Sequence, residues 1–325
     1  MFSNLFSYFD FGFFAGFCFS LITPSINKAI QGEVLKENRS ISMGIAHSGN
    51  GIGGFLGAIL LPIIAAVLGW RISVFIAGTV AVLLGLVVVK NYKPLVKNVD
   101  NKADNNQENK NLKADIKNVF LNKQLLLVCF FGFVFGLGAG IVPAHFTLFV
   151  TTDLYYSSVI AGIALGISQV GGILGQIFWA WLSNFLFSGN HKKTLIFIII
   201  MIAILSLVYG LLGSLLASSI VFLLLTSFFL GVAAMGWGGI FFTEISERAF
   251  IGQIGIASGM ATIFIRSGIV IGPPLFGMLA DYMDNYFYSW FFLSILILIF
   301  AIIIYSNFAV NFILDFLVSH MLNER

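Results

Sequence analysis

Apolar stretches long enough to cross a bilayer recur along this chain, at about 9–29, 41–68, 72–89, 124–150, 157–183, 194–213, 219–242, 252–280 and 287–312. A helix needs about 20 apolar residues to cross some 30 Å of hydrocarbon, so the pattern predicts about nine transmembrane helices and no sizeable soluble domain. One connection is much longer than the rest. Residues 91–123 are rich in Asn, Lys and Asp, which predicts a solvated, flexible linker. Three domains follow: a three-helix bundle over 1–90, the linker over 91–123 and a six-helix bundle over 124–325.

A weak repeat lies on this pattern. Gly44-Ile45-Ala46-His47-Ser48-Gly49 is answered by Gly255-Ile256-Ala257-Ser258-Gly259, and Gly53, Gly57 and Pro62 are answered by Gly268, Gly272 and Pro273. Each copy reaches a tryptophan, Trp70 or Trp290, at the head of another apolar helix. Internal repeats of this kind mark transporters built from two related bundles. Spans one to three match spans seven to nine, while spans four to six have no upstream partner. If the halves are equal, three helices are expected before Met1.

Composition sharpens the class. The 325 residues are 59% hydrophobic and only 10% charged, outside the range of a water-soluble domain. Of seventeen Lys and Arg, fifteen fall in alternate connections or the C-terminal tail, and Arg71 lies on the opposite side. The positive-inside rule then puts those connections in the cytoplasm, the N-terminus outside and the C-terminus in the cytoplasm. No basic residue precedes Lys28, so the first span is expected to stay in the mature chain. Cys18 and Cys129 both lie in apolar runs, which argues against a disulfide framework or a metal cluster. The lysines form no basic face suited to nucleic acid.

The remaining basic residue is Arg266, near the middle of the eighth span. A charged side chain at that depth costs about 2.5 kcal/mol or more, so it is expected to face other helices or a wet cavity. Gly255, Ser258, Gly259, Thr262, Ile269 and Pro273 share its side of the helix. Gln169 lies on a comparable small-residue stripe of the fifth span with Gly162, Gly166, Gly172, Ile173 and Gln176. Ser20, Thr23 and Asn27 form a polar stripe on the first span, and His47 and Asn50 sit within the glycine series of the second. The candidate substrate contacts are Arg266, Gln169, His145, Thr262, Trp237 and Thr23. For Gln169, Thr23 and His145, helix packing through polar side chains is an equal or stronger reading. Gly49, Gly53, Pro62, Gly272, Pro273 and Pro274 are candidates for packing and conformational change. No mid-span carboxylate offers a proton-coupling site, and no nucleophile with its base, metal-ligand spacing or phosphate loop is present. No enzyme activity, cofactor or metal is expected.

The chain resembles the major facilitator superfamily from its fourth helix to its twelfth. The residues that carry the resemblance are Pro24, Lys28, Arg39-x3-Met43-Gly44-Ile45, Gly49-x3-Gly53-Gly54, Pro62 and Gly69-Trp70-Arg71 with Phe75. In the second half they are Ala161-Gly162, Gly171-Gly172-x2-Gly175, the turn near Asn184, Gly236-Trp237 and Gly272-Pro273-Pro274-x2-Gly277-x3-Asp281. The resemblance is strongest to bacterial metabolite and organic-anion permeases. It implies an all-α polytopic protein with a two-bundle fold, the first bundle incomplete, that rocks about a central site. One departure is plain: the family's Gly-x-Leu-x-Asp-Arg turn reads Ala180-Trp181-Leu182-Ser183-Asn184-Phe185 here, so no charge latch is expected at that turn.

The expectation is a secondary transporter of a small solute, an organic anion or related metabolite, in a bacterial cytoplasmic membrane, with the lipid bilayer and the substrate as partners and the coupling ion open. The rivals are an inactive truncated fragment or partner subunit, and an exporter of hydrophobic compounds.

Overall fold

The computed structural model describes residues 16–17, 20–91 and 112–303, and within these it is helical with short turns. The elements are α1 (Ile22–Glu33), α2 (Arg39–Leu68), α3 (Trp70–Asn91), α4 (Leu112–Leu121), α5 (Lys123–Thr152), α6 (Ser158–Leu186), α7 (His191–Leu211), α8 (Gly213–Ser218), α9 (Ile220–Met235), α10 (Gly238–Arg248), α11 (Ile254–Met283) and α12 (Tyr286–Ile303). Seven described spans are long and apolar enough to cross a membrane: α3, α5, α6, α7, α9 with α10, α11 and α12. The 30-residue α2 is a further long helix. The beginning of the first expected span, the end of the ninth, and Cys18 lie outside the described residues, as does residues 92–111 of the expected linker. The described end of that linker forms α4 rather than irregular chain.

Side chains in the connections start and stop the helices. Asn122 accepts from the backbone N–H of Gln124 and Leu125 at the head of α5, and Ser157, Asn190 and Ser219 do the same for α6, α7 and α9. These caps satisfy N–H groups that have no partner within the helix. Gly69, at φ 85°, closes α2 in a conformation that a side chain would strain.

The helices of 124–303 pack through small residues. Gly132, Gly136 and Gly140 form one stripe of α5 against Ile265, Gly268 and Ile269 of α11. A Cβ at Gly136 would collide with the Ile265 carbonyl, and one at Gly268 with the Phe133 carbonyl. Gly171 and Gly175 of α6 meet Phe228 and Val232 of α9 in the same way, and Trp179 Nε1 donates to the Val232 carbonyl at 2.8 Å across that seam. With lipid as solvent, this close backbone approach and these interhelical bonds hold the bundle together. Phe146, Phe149, Tyr209, Phe276 and Trp290 fill the interior beyond, with Phe276 and Trp290 ring centroids 5.0 Å apart.

The first half joins this bundle along two seams. Gly44 of α2 lies against the Gln176 carbonyl of α6 and against Gly239 of α10. Asn27 of α1 donates to Ser258 of α11 at 3.1 Å. By contrast α3 packs chiefly on α2 among the described residues, where Ser73 is its one buried side chain, its hydroxyl donating to the Leu61 carbonyl at 2.8 Å. A helix apolar on every side and so little buried requires hydrocarbon around it.

Candidate functional site

The seventh expected span is one membrane crossing, but not one continuous helix. It breaks at Gly236-Trp237 into α9 and α10, and together these run from Ile220 to Arg248. Gly236 is pressed onto Gly175 of α6 so closely that no side chain would fit, and the turn that this contact permits interrupts the backbone ladder. The side chain of Gln176 closes the gap. Its Nε2 donates to the Met235 carbonyl at 2.8 Å, and its Oε1 accepts from the Gly239 N–H at 2.9 Å. Backbone groups freed inside a membrane need partners from the protein, and one amide supplies both.

Beside this break lies a cavity of about 290 Å³ walled by α1, α2, α5, α6, the end of α9, α10 and α11. Five of the six residues singled out from the sequence line it: Thr23, Gln169, Trp237, Thr262 and Arg266. Their polar groups are not equally available. Thr262 donates its hydroxyl to the Ser258 carbonyl at 2.8 Å, and Trp237 donates Nε1 to the Ala234 carbonyl at 2.8 Å while its ring stacks on Phe135 at 5.0 Å. Arg266 lies where the cavity meets a groove formed by Ser20, Leu21, Pro24, Gly259 and Ser267, and its side chain is exposed rather than enclosed. Such a position lets the guanidinium keep water, which lowers the cost of charge at this depth.

His145 is elsewhere. Its Nε2 lies 2.9 Å from the Pro273 carbonyl and its Nδ1 3.5 Å from the Tyr286 hydroxyl, and Gly277 leaves room for its ring. That position makes it a strut against the proline-loosened part of α11, apart from the cavity. Gly272 packs on Leu137 and Ile141 of α5, whereas a Cβ at Gly49 or Gly53 meets nothing within 4 Å among the described residues. The surroundings of Pro62 lie outside what is described.

The structure adds three polar side chains to the cavity wall that were not candidates for substrate contact: His47, Asn50 and Gln176. His47 Nε2 lies 3.3 Å from Asn27 Oδ1, and its ring is parallel to Phe242 with centroids 4.7 Å apart. The signal for these residues was present in the stripes of α2 and α6, where polar side chains recur among glycines. Below them, at the end carrying Lys36 and Arg39, the halves are closed by the Gly44 contacts and the Asn27 bonds. Towards the other end, a Cβ at Gly54, Gly162 or Gly166 meets nothing within 4 Å among the described residues.

The closed end carries acidic and basic side chains in contact. Arg248 donates to Glu244 one turn earlier on α10 and to Gln124 Oε1 at 2.7 Å, and His191 Nε2 lies 3.7 Å from Glu247. Ser183 and His191 Nδ1 are 2.9 Å apart, so the turn that lacks the family's acid is pinned by a hydroxyl and an imidazole instead. Among the described residues, no three His, Cys, Asp or Glu side chains gather to hold a metal ion.

A two-bundle helical fold around a polar cavity is the architecture of a membrane carrier. The chain belongs to the Major Facilitator Superfamily, whose sequence model matches residues 1–273. It is therefore a multi-pass membrane transporter and not an enzyme. Its fold is similar to that of FucP, a transporter of that superfamily solved in the outward conformation, with a TM-score of 0.63 at 13% identity over 88% of this chain and 72% of that chain. A second structure, of a variant of the E. coli fucose:proton symporter FucP, gives a TM-score of 0.65 at 12% identity over the same shares. A search of curated protein sequences finds no match.

Proposed function

We propose that this protein moves a small organic anion across a bacterial cytoplasmic membrane by alternating access, with the anion held in the cavity between the halves. The observation that carries this reading is the position of Arg266 and Gln169 on the walls of one cavity, contributed by α11 and α6. A guanidinium offers a carboxylate two parallel, charge-assisted hydrogen bonds. The amides of Gln169 and Asn50 and the hydroxyl of Thr23 would then orient the rest of the solute. The basic connections face the cytoplasm in this reading, so the N-terminus lies outside and the C-terminus inside. The bundles of 1–90 and 124–325 rock against each other, and the glycine and proline positions of α2 and α11, from Gly49 and Gly53 to Pro62 and from Gly272 to Pro274, allow the helices to slide and bend.

FucP takes fucose with a proton, but at 12% identity its substrate does not transfer, and the class here is read from the cavity itself. The test is thermal unfolding of the detergent-purified protein with lactate, succinate, citrate, gluconate or uncharged glucose. A ligand that prefers the folded state raises its melting temperature by mass action. At least one carboxylate is expected to do so. Stabilisation by glucose with none by the carboxylates would overturn the reading.

A further inference from the structure

We propose that His47 is the proton-binding residue of this transporter, its imidazole joining Arg266 in the cavity as a second cation whenever the anion is loaded. The proposal rests on the anion reading of the cavity and adds the coupling ion to it. His47 and Ser258 occupy the same place, fourth in each copy of the internal repeat, and the structure ties them together through one side chain. Asn27 donates from Nδ2 to Ser258 Oγ at 3.1 Å and presents Oδ1 to His47 Nε2 at 3.3 Å. With its oxygen turned to the ring, Asn27 requires His47 to donate from Nε2, so a proton arriving from the cavity binds at Nδ1.

The neutral ring suits the anion-free state. It is only 7% exposed and lies flat on Phe242. The charged side chains on its own helix and those around it are Arg39 on α2, Lys28 and Glu33 on α1, Glu244, Glu247 and Arg248 on α10, Arg71 and Lys90 on α3, and Arg266 and Asp281 on α11, while α6 carries none. Glu244 is paired with Arg248, and Glu247 faces His191. The charged residue that shares the cavity with His47 is Arg266, a cation, which disfavours a second positive charge until an anion enters. Anion and proton therefore load together and leave together. The Asn27 bridge also joins α1, α2 and α11 at the closed end, so the group that takes the proton sits on the seam that must part when that end opens.

The experiment is ¹⁵N NMR of the imidazoles of the detergent-purified full chain between about pH 5 and 8, with His47 assigned by its loss in His47→Gln. The spectra are recorded without ligand and with the carboxylate that gives the largest thermal shift. The midpoint of His47 is expected to rise by about one pH unit when the carboxylate binds. In parallel, the affinity of wild type for that carboxylate should fall by about tenfold in all as the pH rises through the two midpoints. In His47→Gln, which keeps a donor towards Asn27 and cannot titrate, that pH dependence should be lost. A midpoint unmoved by bound carboxylate, or an unchanged pH dependence in the variant, overturns the proposal. If no carboxylate binds, the anion reading fails by itself. The proton site is then decided with whichever solute raises the melting temperature, because a His47 imidazole that stays neutral down to about pH 5 in its presence refutes it and one that titrates there sustains it.

Discussion

Gln176 accepts a hydrogen bond from the backbone of Gly239 across a helix boundary, at 2.9 Å, while donating to Met235 on the other side of the same break. The two bonds make a discontinuity on the cavity wall compatible with a membrane interior. They also fasten α6 to both parts of the broken span.

Replacing Gln176 by Leu removes both partners and leaves the Met235 carbonyl and the Gly239 N–H unsatisfied. Each such group costs about 1–3 kcal/mol. The variant is expected to unfold at a lower temperature than wild type. Gln176→Glu, which keeps the acceptor for Gly239 but loses the donor for Met235, should lie between them in the same thermal unfolding measurement.

Closure of the Lys36 end depends on Gly44. A side chain there would meet the Gln176 carbonyl, and the backbone of Gly44 already lies where a Cβ of Gly239 would stand, so the seam has no slack. Gly44→Val should therefore favour conformations with that end open. The measurement is labelling of Asn50→Cys by a membrane-impermeant maleimide, in a background with Cys18 and Cys129 replaced by Ser. Reaction from the Lys36 side is expected to increase several-fold with Gly44→Val, and equal rates would show that Gly44 does not set the closure.

Much of this arrangement was legible in the sequence because the bilayer imposes strict terms. Span length, the position of Arg266 and the inward stripe of Gln169, Gly172 and Gln176 follow from the cost of exposing polar groups to hydrocarbon. The break at Gly236 was not legible, since glycines and a tryptophan in an apolar run are equally compatible with an unbroken helix. Only the approach of Gly175 from a helix some sixty residues earlier decides it. His145 looked like a candidate for the same reason that Arg266 did, as a polar group within a span. Its partner, the Pro273 carbonyl, becomes visible only when α5 and α11 are packed together. His47 was read as an interhelical contact, and the structure gives it that contact while also placing it on the cavity wall.

The α5–α11 seam gives a third prediction. Gly136→Val places atoms where the Ile265 carbonyl stands, so the helices must separate. Overpacking of this kind costs about 1–3 kcal/mol or more. A lower midpoint in thermal unfolding is expected, and it should be larger than that of Gly162→Val, where a Cβ meets nothing within 4 Å.

The Glu244–Arg248 pair gives a fourth. Both side chains are largely buried, at 6% and 14% exposure, and removing Glu244 leaves Arg248 with a lost hydrogen bond. Glu244→Ala should lose about 1–3 kcal/mol of stability. Glu244→Gln, which still accepts a hydrogen bond from Arg248, should lose less. Equal losses for the two variants, measured by denaturant unfolding in the same detergent, would show that the hydrogen bond kept by the amide contributes nothing.

The central claim is that a guanidinium in the cavity between the halves recognises the substrate. Its most direct measurement is isothermal titration of the stabilising carboxylate into wild type, Arg266→Lys and Arg266→Ala, each first shown to be folded by thermal unfolding. Arg266→Ala is expected to bind about tenfold to a hundredfold more weakly, as a charge-assisted hydrogen bond contributes about 1.5–3 kcal/mol, with Arg266→Lys in between. Wild-type affinity in folded Arg266→Ala would contradict the account.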